Sequence, residues 1–229
     1  GTAAPYLAMS FLAEYTGEEK YLRPCVEAAE KIMSEFPRTD EGGFQHKTSD
    51  SVNEQELWDD TLYMTVLFLA NMGRILKNQA MTEEAQYQFL IHEKYLCDKV
   101  SGLWYHGWTF KEKNNFAGAF WGRGNCWITM AIPEFLEICD CNEAVKRLLV
   151  NTLREQVQSL RALQAENGMW HTLVDDADSY VEASATCGFA YGILRAVKDG
   201  LVDKSYLETA ARAVSPIMDC ISEGGVVHQ

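Results

Sequence analysis

Apolar residues recur every three or four positions along most of this chain, which is the spacing typical of amphipathic α-helices. No stretch alternates clearly enough between apolar and polar residues to predict a β-strand. Thr16-Gly17 and Pro37 mark two helix ends, since glycine commonly caps a helix C-terminus and proline cannot continue a helix. The pattern predicts eight helices: Ala4–Tyr15, Glu18–Phe36, Leu57–Leu76, Thr82–Cys97, Trp121–Cys139, Glu143–Ala165, Tyr180–Lys198 and Lys204–Ile221.

The predicted helices fall into four hairpins, with short turns inside each pair and longer loops between pairs. Asn71–Gly73, Asp140–Asn142 and Asp199–Gly200 are predicted to be helix ends or inner turns. No linker or shift in composition divides the chain, so we predict a single domain over residues 1–229. An open α-solenoid and a closed α/α toroid both fit this pattern. The toroid is favoured because the unusual residues gather in the loops between hairpins.

Four histidines occupy the same place in a recurring loop. Each follows a glycine and at least one apolar residue, and successive histidines lie 60, 65 and 57 residues apart. A period of this length is typical of a supersecondary repeat whose connecting loops vary. Loops at one end of such an array would build a cleft lined by rings and imidazoles. The loops are Gly43–His46, Gly102–His106, Gly168–His171 and Gly224–His228.

The composition and charge of the chain exclude some classes of function but say little about the fold. The 229 residues are 47% hydrophobic and 23% charged, which is ordinary for a globular protein. A net charge of −13 argues against nucleic acid and anionic membranes as partners, although a small acidic ligand could still bind in a cleft with a few cations. The apolar runs are too short to span a membrane, and residues 1–17 lack the features of a signal peptide. Seven cysteines, mostly in predicted helices, predict reduced thiols and a cytoplasmic protein.

The densest group of candidate residues is the run from Trp58 to Met64, which contains Asp59 and Asp60. Two acids at a helix start have a structural explanation, since carboxylates there accept hydrogen bonds from free N–H groups and offset the helix dipole. In the functional interpretation, one acid caps the helix while the other faces the cleft as a general acid/base. Trp58 and Met64 would supply an apolar wall beside it.

The run from Trp121 to Trp127 is harder to explain as structure alone. Glycines flank Arg123 on both sides, which predicts a tight backbone that holds the arginine in a fixed direction. Arg123 between aromatic faces suits a sugar that carries a carboxylate, because a guanidinium forms bidentate ion pairs with carboxylates and stacks on rings. The two tryptophans could otherwise be core residues.

The histidines divide by their surroundings. His106 lies in the most aromatic loop and is predicted to contact a ligand, and His46 with Lys47 forms a donor pair for an anionic group. His171 is expected to close its loop through hydrogen bonds, and His92, in mid-helix, is expected to be structural. The sequence contains no closely spaced histidine pair, phosphate-binding loop or nucleophile elbow, so we predict neither a metal nor a cofactor.

A series of motifs runs in a fixed order through nearly the whole chain. They are Tyr15–Gly17, Pro37–Thr39, Gly42–Lys47, Leu57–Met64, Gly102–Trp108, Trp121–Asn125 and Glu182–Thr186. Each alone is weak, but together they are specific. In these motifs the chain resembles the unsaturated rhamnogalacturonyl hydrolases of glycoside hydrolase family 105.

This resemblance implies an all-α fold, an (α/α)6 toroid of helical hairpins, of which about four are predicted here. It implies a glycosidase that hydrates the C4=C5 double bond of a non-reducing-end unsaturated uronic acid, releasing rhamnose from a pectin-derived rhamnogalacturonan disaccharide. Asp60 matches the family's acid/base, which leaves Asp59 as the capping neighbour. An arginine flanked by tryptophans would hold the carboxylate and ring of the uronate. The substrate-binding residues that the resemblance implies are His46, Lys47, Trp58, Met64, His106, Trp121, Arg123 and Trp127.

The number of hairpins differs from the family pattern. The family has six hairpins and a second cleft aspartate in an earlier hairpin, and no residue between Gly1 and Tyr15 supplies that aspartate. We therefore expect the chain to be a middle part of the fold, inactive if the other hairpins are absent from the gene product. An open arc of hairpins would expose apolar helix faces, so we expect the chain either to form homo-oligomers through those faces or to be only marginally stable.

Two alternatives stay open. An unsaturated glucuronyl hydrolase would act on glycosaminoglycan fragments, although the Trp121–Asn125 run favours the pectin side. A non-catalytic sugar-binding toroid would keep the architecture without turnover. The intact Asp60 and Arg123 argue against that second alternative, and the missing acid partner argues for it.

Overall fold

The all-α character predicted from the sequence is confirmed by the computed structural model, which describes residues 3–48 and 50–228. No helix in these two ranges is long and apolar enough to cross a membrane. Seven of the eight predicted helices lie within a few residues of an observed helix. The helices are α1 Ala4–Thr16, α2 Glu19–Glu35, α3 Leu67–Leu76, α4 Gln79–Leu96, α5 Gly122–Ile138, α6 Glu143–Ala162, α7 Ala183–Lys198 and α8 Leu207–Asp219.

The predicted helix Leu57–Leu76 is wrong only in its first three residues, since the helical segment begins at Asp60. Glu56–Trp58 is a short strand, β1, which pairs antiparallel with β2, Gly107–Thr109. Strands of three residues are too short for an alternating pattern to be recognised in a sequence, so the expectation of no strand was also wrong. Between β1 and α3 the chain forms a π-helix at Leu62–Val66, where the N–H of Leu67 donates to the carbonyl of Leu62.

The predicted turn at Asn71–Gly73 is also wrong, because these residues lie inside α3. The glycine has a packing reason instead: a Cβ at Gly73 would lie 2.7 Å from the Thr82 hydroxyl of α4. The helix ends at Lys77, which adopts the left-handed conformation with φ 52°. The turns at Asp140–Asn142 and Asp199–Gly200 follow helix ends, as predicted.

The chain divides into two compact units. The first unit contains the described residues up to Leu96, with Gly107–Phe116 and Glu134–Val145. In it, α1 packs on α2 and α3, and α3 packs on α4. Phe89 and Phe135 stack in its core with ring centroids 4.1 Å apart. Whether the chain is one domain, as predicted, stays a prediction.

The second unit contains Cys97–His106, Ala117–Pro133 and the described residues from Lys146 onward. Within it α7 packs on α8. Gly192 of α7 lies so close to α5 that a Cβ there would be 2.4 Å from the Thr129 carbonyl oxygen. The Thr129 hydroxyl in turn donates to Gln156 of α6 at 3.0 Å, which fixes α5 against α6.

The predicted loop repeat is confirmed in the backbone hydrogen bonds. In each of the four loops, a glycine with positive φ donates its N–H to the carbonyl of a residue three or four positions earlier. That earlier residue donates its own N–H to the carbonyl of the residue after the glycine. The glycines are needed because few other residues adopt positive φ without strain. They are Gly42, Gly102, Gly168 and Gly225.

Candidate active site

The two acids of the first unit lie where β1 ends and the helical segment begins. Asp59 is fully buried, whereas the neighbouring Asp60 is half-buried. The N–H of Leu62 donates to the Asp59 carbonyl at 3.1 Å, which starts the helical turn. The π-helix follows at once, and π-turns inside helices occur frequently at functional sites.

An aromatic wall stands beside these acids in the chain. The imidazole of His46 stacks on the indole of Trp58, with centroids 4.4 Å apart and planes inclined by 6°. His46 Nδ1 lies 2.9 Å from Thr61 Oγ1, so the ring is fixed by a hydrogen bond as well as by stacking. The Trp58 indole N–H donates to Glu56 Oε2 at 2.8 Å. The sequence had placed His46 and Trp58 in one site, and the structure brings them into contact.

Phe116 extends this wall and was missed by the sequence analysis. Its ring lies 5.9 Å from that of Trp58, in a tilted arrangement. Gly107 of β2 makes room for it, since a Cβ at this position would lie 2.0 Å from the Phe116 ring. The predicted residues Met64 and Lys47 are half-buried and exposed, respectively, in the same unit.

In the second unit, the candidate residues surround the start of α5. The guanidinium carbon of Arg123 lies 4.4 Å from the centroid of the Trp121 ring. Arg123 Nη1 donates to Glu182 Oε1 at 2.7 Å. The arginine side chain is 44% exposed and that of Glu182 only 6%, so the pair offers its cation to solvent.

The backbone before Arg123 is constrained, as the flanking glycines predicted. Trp121 forms an isolated β-bridge with Leu173, and the Gly122 N–H donates to the Thr172 carbonyl at 2.7 Å. A Cβ at Gly122 would lie 2.8 Å from the carbonyl oxygen of His171. Glycine is therefore required at Gly122 by the close approach of another segment.

His106 and Trp127 complete the predicted set in this unit. The His106 ring meets the Trp121 ring edge-on, with centroids 4.7 Å apart and planes at 79°. Trp127 is half-buried and follows Arg123 by four residues, which places the two side chains on the same face of α5. His171 Nδ1 hydrogen-bonds to the Ser179 carbonyl and closes its loop, as expected.

His92 is structural, as predicted from its position in mid-helix. It is fully buried in α4 and its Nδ1 bonds to the Gln88 carbonyl at 2.7 Å. Burial lowers the pKa of His92 to about 4, because the apolar surroundings disfavour the charged imidazolium. His92 is therefore neutral at pH 7.

Glu182 lies in one of the motifs of the sequence, but the sequence alone indicates no role for it. It lies just before α7 with extended backbone angles, φ −123° and ψ 125°. A glutamate directly before a run of small residues, Ala183–Thr186, was the available signal for a helix start. Nothing in the sequence pairs it with Arg123, 59 positions away.

An exposed arginine stacked on an aromatic ring can bind a ligand that carries a carboxylate, through paired hydrogen bonds and stacking. The chain belongs to the family described as Glycosyl Hydrolase Family 88, whose sequence profile matches residues 2–229. The resemblance found in the motifs is thereby confirmed, as is the fold class, an all-α toroid of helical hairpins.

Three relatives illustrate the likeness. The unsaturated rhamnogalacturonyl hydrolase YesR of Bacillus subtilis is 34% identical over 96% of this chain and 62% of its own length. A crystal structure described as a possible member of the GH105 family, from Salmonella enterica, has 48% identity and a TM-score of 0.96, covering 98% of this chain and 60% of that one. The unsaturated glucuronyl hydrolase of Bacillus sp. GL1 shares the fold, with a TM-score of 0.74 and 19% identity over 96% of this chain and 63% of that one.

The chain spans about three fifths of the length of these relatives. The roles of the individual site residues, and the absence of a metal or cofactor from the reaction, stay predictions.

Proposed function

We propose that the protein is a glycoside hydrolase that hydrates the C4=C5 double bond of an unsaturated uronic acid at the non-reducing end of a small pectin-derived oligosaccharide. The favoured substrate is the rhamnogalacturonan disaccharide, from which rhamnose is released. The likeness to the rhamnogalacturonyl hydrolase of Bacillus subtilis over nearly the whole chain carries the proposal. The acid pair at the π-helix supports it, because the reaction requires one carboxyl group that both gives and takes a proton.

Asp60 is the proposed acid/base. Its carboxyl proton passes to C4, and the ring oxygen stabilises the positive charge that develops at C5. Water then adds to C5 and gives its proton to the Asp60 carboxylate, which restores the acid. The resulting hemiketal opens at the ring oxygen, and the hemiacetal left at C1 expels the neighbouring sugar. The reaction consumes one water and involves no direct attack at the anomeric carbon, so the usual two-carboxylate geometry of glycosidases does not apply.

Arg123 is the proposed ligand of the uronate carboxylate. Its guanidinium is exposed and stacked on Trp121, so it can receive a planar anion through two parallel hydrogen bonds. Trp127 and His106 are proposed to contact the sugar ring. In the first unit, His46, Lys47, Trp58 and Met64 are proposed to contact the remainder of the substrate.

The decisive assay follows the absorbance of the conjugated double bond in unsaturated galacturonyl-rhamnose. We expect the band to disappear with the wild-type chain and with Asp50→Asn, which removes the same charge from an exposed position in the first unit. Asp60→Asn should leave the band unchanged. Turnover at the wild-type rate by Asp60→Asn would contradict the assigned role, and a folded wild-type chain that consumes a different unsaturated disaccharide but not this one would contradict the proposed substrate.

The unsaturated glucuronyl alternative predicts a different substrate preference. A chain that consumes unsaturated glycosaminoglycan disaccharides faster than unsaturated galacturonyl-rhamnose would establish that alternative. A chain that binds both sugars without consuming either would support the other alternative, a non-catalytic sugar-binding protein.

We further propose that the protein acts in the cytoplasm and does not bind nucleic acid or membranes. Cys25, Cys187 and Cys220 carry free thiols, which suits a reducing compartment. We also propose that it self-associates through apolar helix faces. Three exposed apolar side chains on α8 support this: Leu207, Val214 and Met218. Light scattering that detects only monomers would contradict it.

A further inference from the structure

We propose that Glu182 is a positioning residue that holds the Arg123 guanidinium flat against Trp121, with its outer edge ready for a sugar carboxylate. The inference rests on the proposed function and deepens it, since it concerns how the uronate is recognised. Its starting point is an inverted burial: the anion of the pair is buried while the cation is exposed.

The Glu182 carboxylate is fixed by its neighbours. Oε1 accepts a hydrogen bond from Arg123 at 2.7 Å and a further one from the Ser184 hydroxyl. The Thr172 hydroxyl lies 3.5 Å from Oε2. Because these contacts come from different directions, the carboxylate has little freedom to turn, and its direction determines where Arg123 is drawn.

The backbone around the pair is fixed to one common segment. The N–H of Glu182 donates to the Trp170 carbonyl at 3.0 Å. The N–H of Gly122, the residue before Arg123, donates to the Thr172 carbonyl two residues further along that segment, at 2.7 Å. The two ends of the ion pair are therefore held relative to each other by main-chain hydrogen bonds, which side-chain motion does not disturb.

The guanidinium keeps most of its donors available. Arginine has five N–H donors in a planar fork, and Glu182 takes one of them. No other hydrogen bond to the Arg123 side chain is present in the part of the chain that the structure describes. Since Trp121 covers one face and Glu182 holds one nitrogen, the edge formed by the remaining nitrogens can accept a carboxylate in the bidentate manner.

Stability alone does not explain this arrangement. Burying a carboxylate is costly unless it is paired, and an ion pair with an exposed partner contributes little to folding. The charge of Glu182 also repels an incoming carboxylate. Solvent screens that repulsion at the exposed edge of Arg123, while the direction that Glu182 imposes on the guanidinium is kept.

The test measures binding of D-galacturonate and of its neutral counterpart D-galactose by calorimetry, using the chain as it stands. In Glu182→Gln we expect the Kd for galacturonate to rise about ten-fold, as for loss of a charge-assisted hydrogen bond, while the Kd for galactose is unchanged. Glu166→Gln is the matched control, because it removes the same charge from an exposed site in the same unit. It should bind both sugars as the wild type does.

If Glu182 had a purely structural role, Glu182→Gln would weaken the binding of both sugars equally or would lower only the melting temperature. Unchanged or tighter galacturonate binding in a folded Glu182→Gln variant would overturn the proposal, as would a wild type that binds galacturonate no better than galactose. If Glu182→Gln does not fold, Ser184→Ala removes one hydrogen bond from the carboxylate and should show a smaller selective loss, about two- to three-fold. No selective loss in that variant would also overturn the proposal.

The outcome separates this inference from the proposed reaction. A chain that prefers galacturonate through Glu182 but leaves unsaturated galacturonyl-rhamnose intact would retain the inference and contradict the hydrolase assignment. If the chain turns over that substrate and KM is equal in wild type and Glu182→Gln, the hydrolase assignment is retained and the positioning role of Glu182 is contradicted.

Discussion

In the first unit the less buried member of the candidate pair is an acid, the half-buried Asp60, beside a second, fully buried acid, Asp59. In the second unit the exposed member is a cation, Arg123, and the buried one is its counter-ion, Glu182. The first arrangement places two carboxyl groups on adjacent residues, and a carboxyl group can serve as a general acid/base. The second neutralises its charge internally and leaves a directed set of donors, which favours recognition.

Because of this difference, we expect substitutions in the two regions to change different kinetic constants. A group that transfers a proton affects the rate of the chemical step, whereas a group that binds ground and transition states alike affects KM.

The largest effect is expected for Asp60→Asn. The amide cannot deliver a proton to C4, so kcat should fall at least about a thousand-fold, within the range for loss of a general acid/base. KM should change little, because the shape of the side chain is kept. Steady-state kinetics on unsaturated galacturonyl-rhamnose would measure both constants, and a variant with raised KM and normal kcat would reverse the assignment of the two regions.

Acid should act on the first unit through His92. The pKa of His92 is lowered to about 4 in the folded chain from an ordinary 6.5, so the unfolded chain binds the extra proton first. The stability contributed by this group is complete above pH 6.5 and is lost as the pH falls through about 4, by about 3 kcal/mol in all. Urea unfolding at pH 7 and pH 4 should show a smaller drop for His92→Gln than for wild type. Equal drops would mean that His92 is not buried as described.

The two units should also differ in their tolerance of an added methyl group. Gly192→Ala places a Cβ against the Thr129 backbone carbonyl, which cannot move aside, and should destabilise the fold by about 2 kcal/mol despite the better helix propensity of alanine. Gly107→Ala meets the ring of Phe116 instead, which is 42% exposed and can turn away. Its cost should stay below about 1 kcal/mol. Thermal unfolding of both variants would test the contrast, and a larger loss for Gly107→Ala would refute it.

The smaller of the two expected kinetic effects is that of Arg123→Lys. Lysine keeps the charge but loses the planar fork and the stacking on Trp121, so KM for the unsaturated uronide should rise about ten-fold. kcat should remain within about two-fold, since the interaction is made before and during the reaction alike. A fall in kcat at unchanged KM would indicate that Arg123 acts in the chemical step.

Much of this could be predicted because the relevant signals are local. Helix periodicity located the hairpins, and the glycine–histidine spacing located loops that are closed by the same hydrogen bonds. Arg123 and Trp121 could be grouped from one short motif, whereas His46 and Trp58 were placed in one site by the family resemblance.

The features that could not be predicted from the sequence depend on contacts between distant parts of the chain. β1 forms because β2, about 50 positions later, supplies its hydrogen bonds. Neither strand is long enough to be recognised from an alternating pattern in the sequence. The partnership of Arg123 with Glu182 is likewise created by the fold. The π-helix after Asp60 has no compositional signature, because it differs from an α-helix only in the length of its hydrogen-bonded turn.

That π-helix has a consequence for comparing relatives. Its turn holds one residue more than an α-turn, so losing a single residue between Leu62 and Val66 would let the helix close up as an ordinary α-helix. Everything before the deletion would then be rotated by about 100° relative to α3. Asp60 would still be present in the sequence but would point elsewhere. A one-residue gap at this place in an alignment would therefore identify relatives that have kept the scaffold and the aspartate while abandoning the reaction.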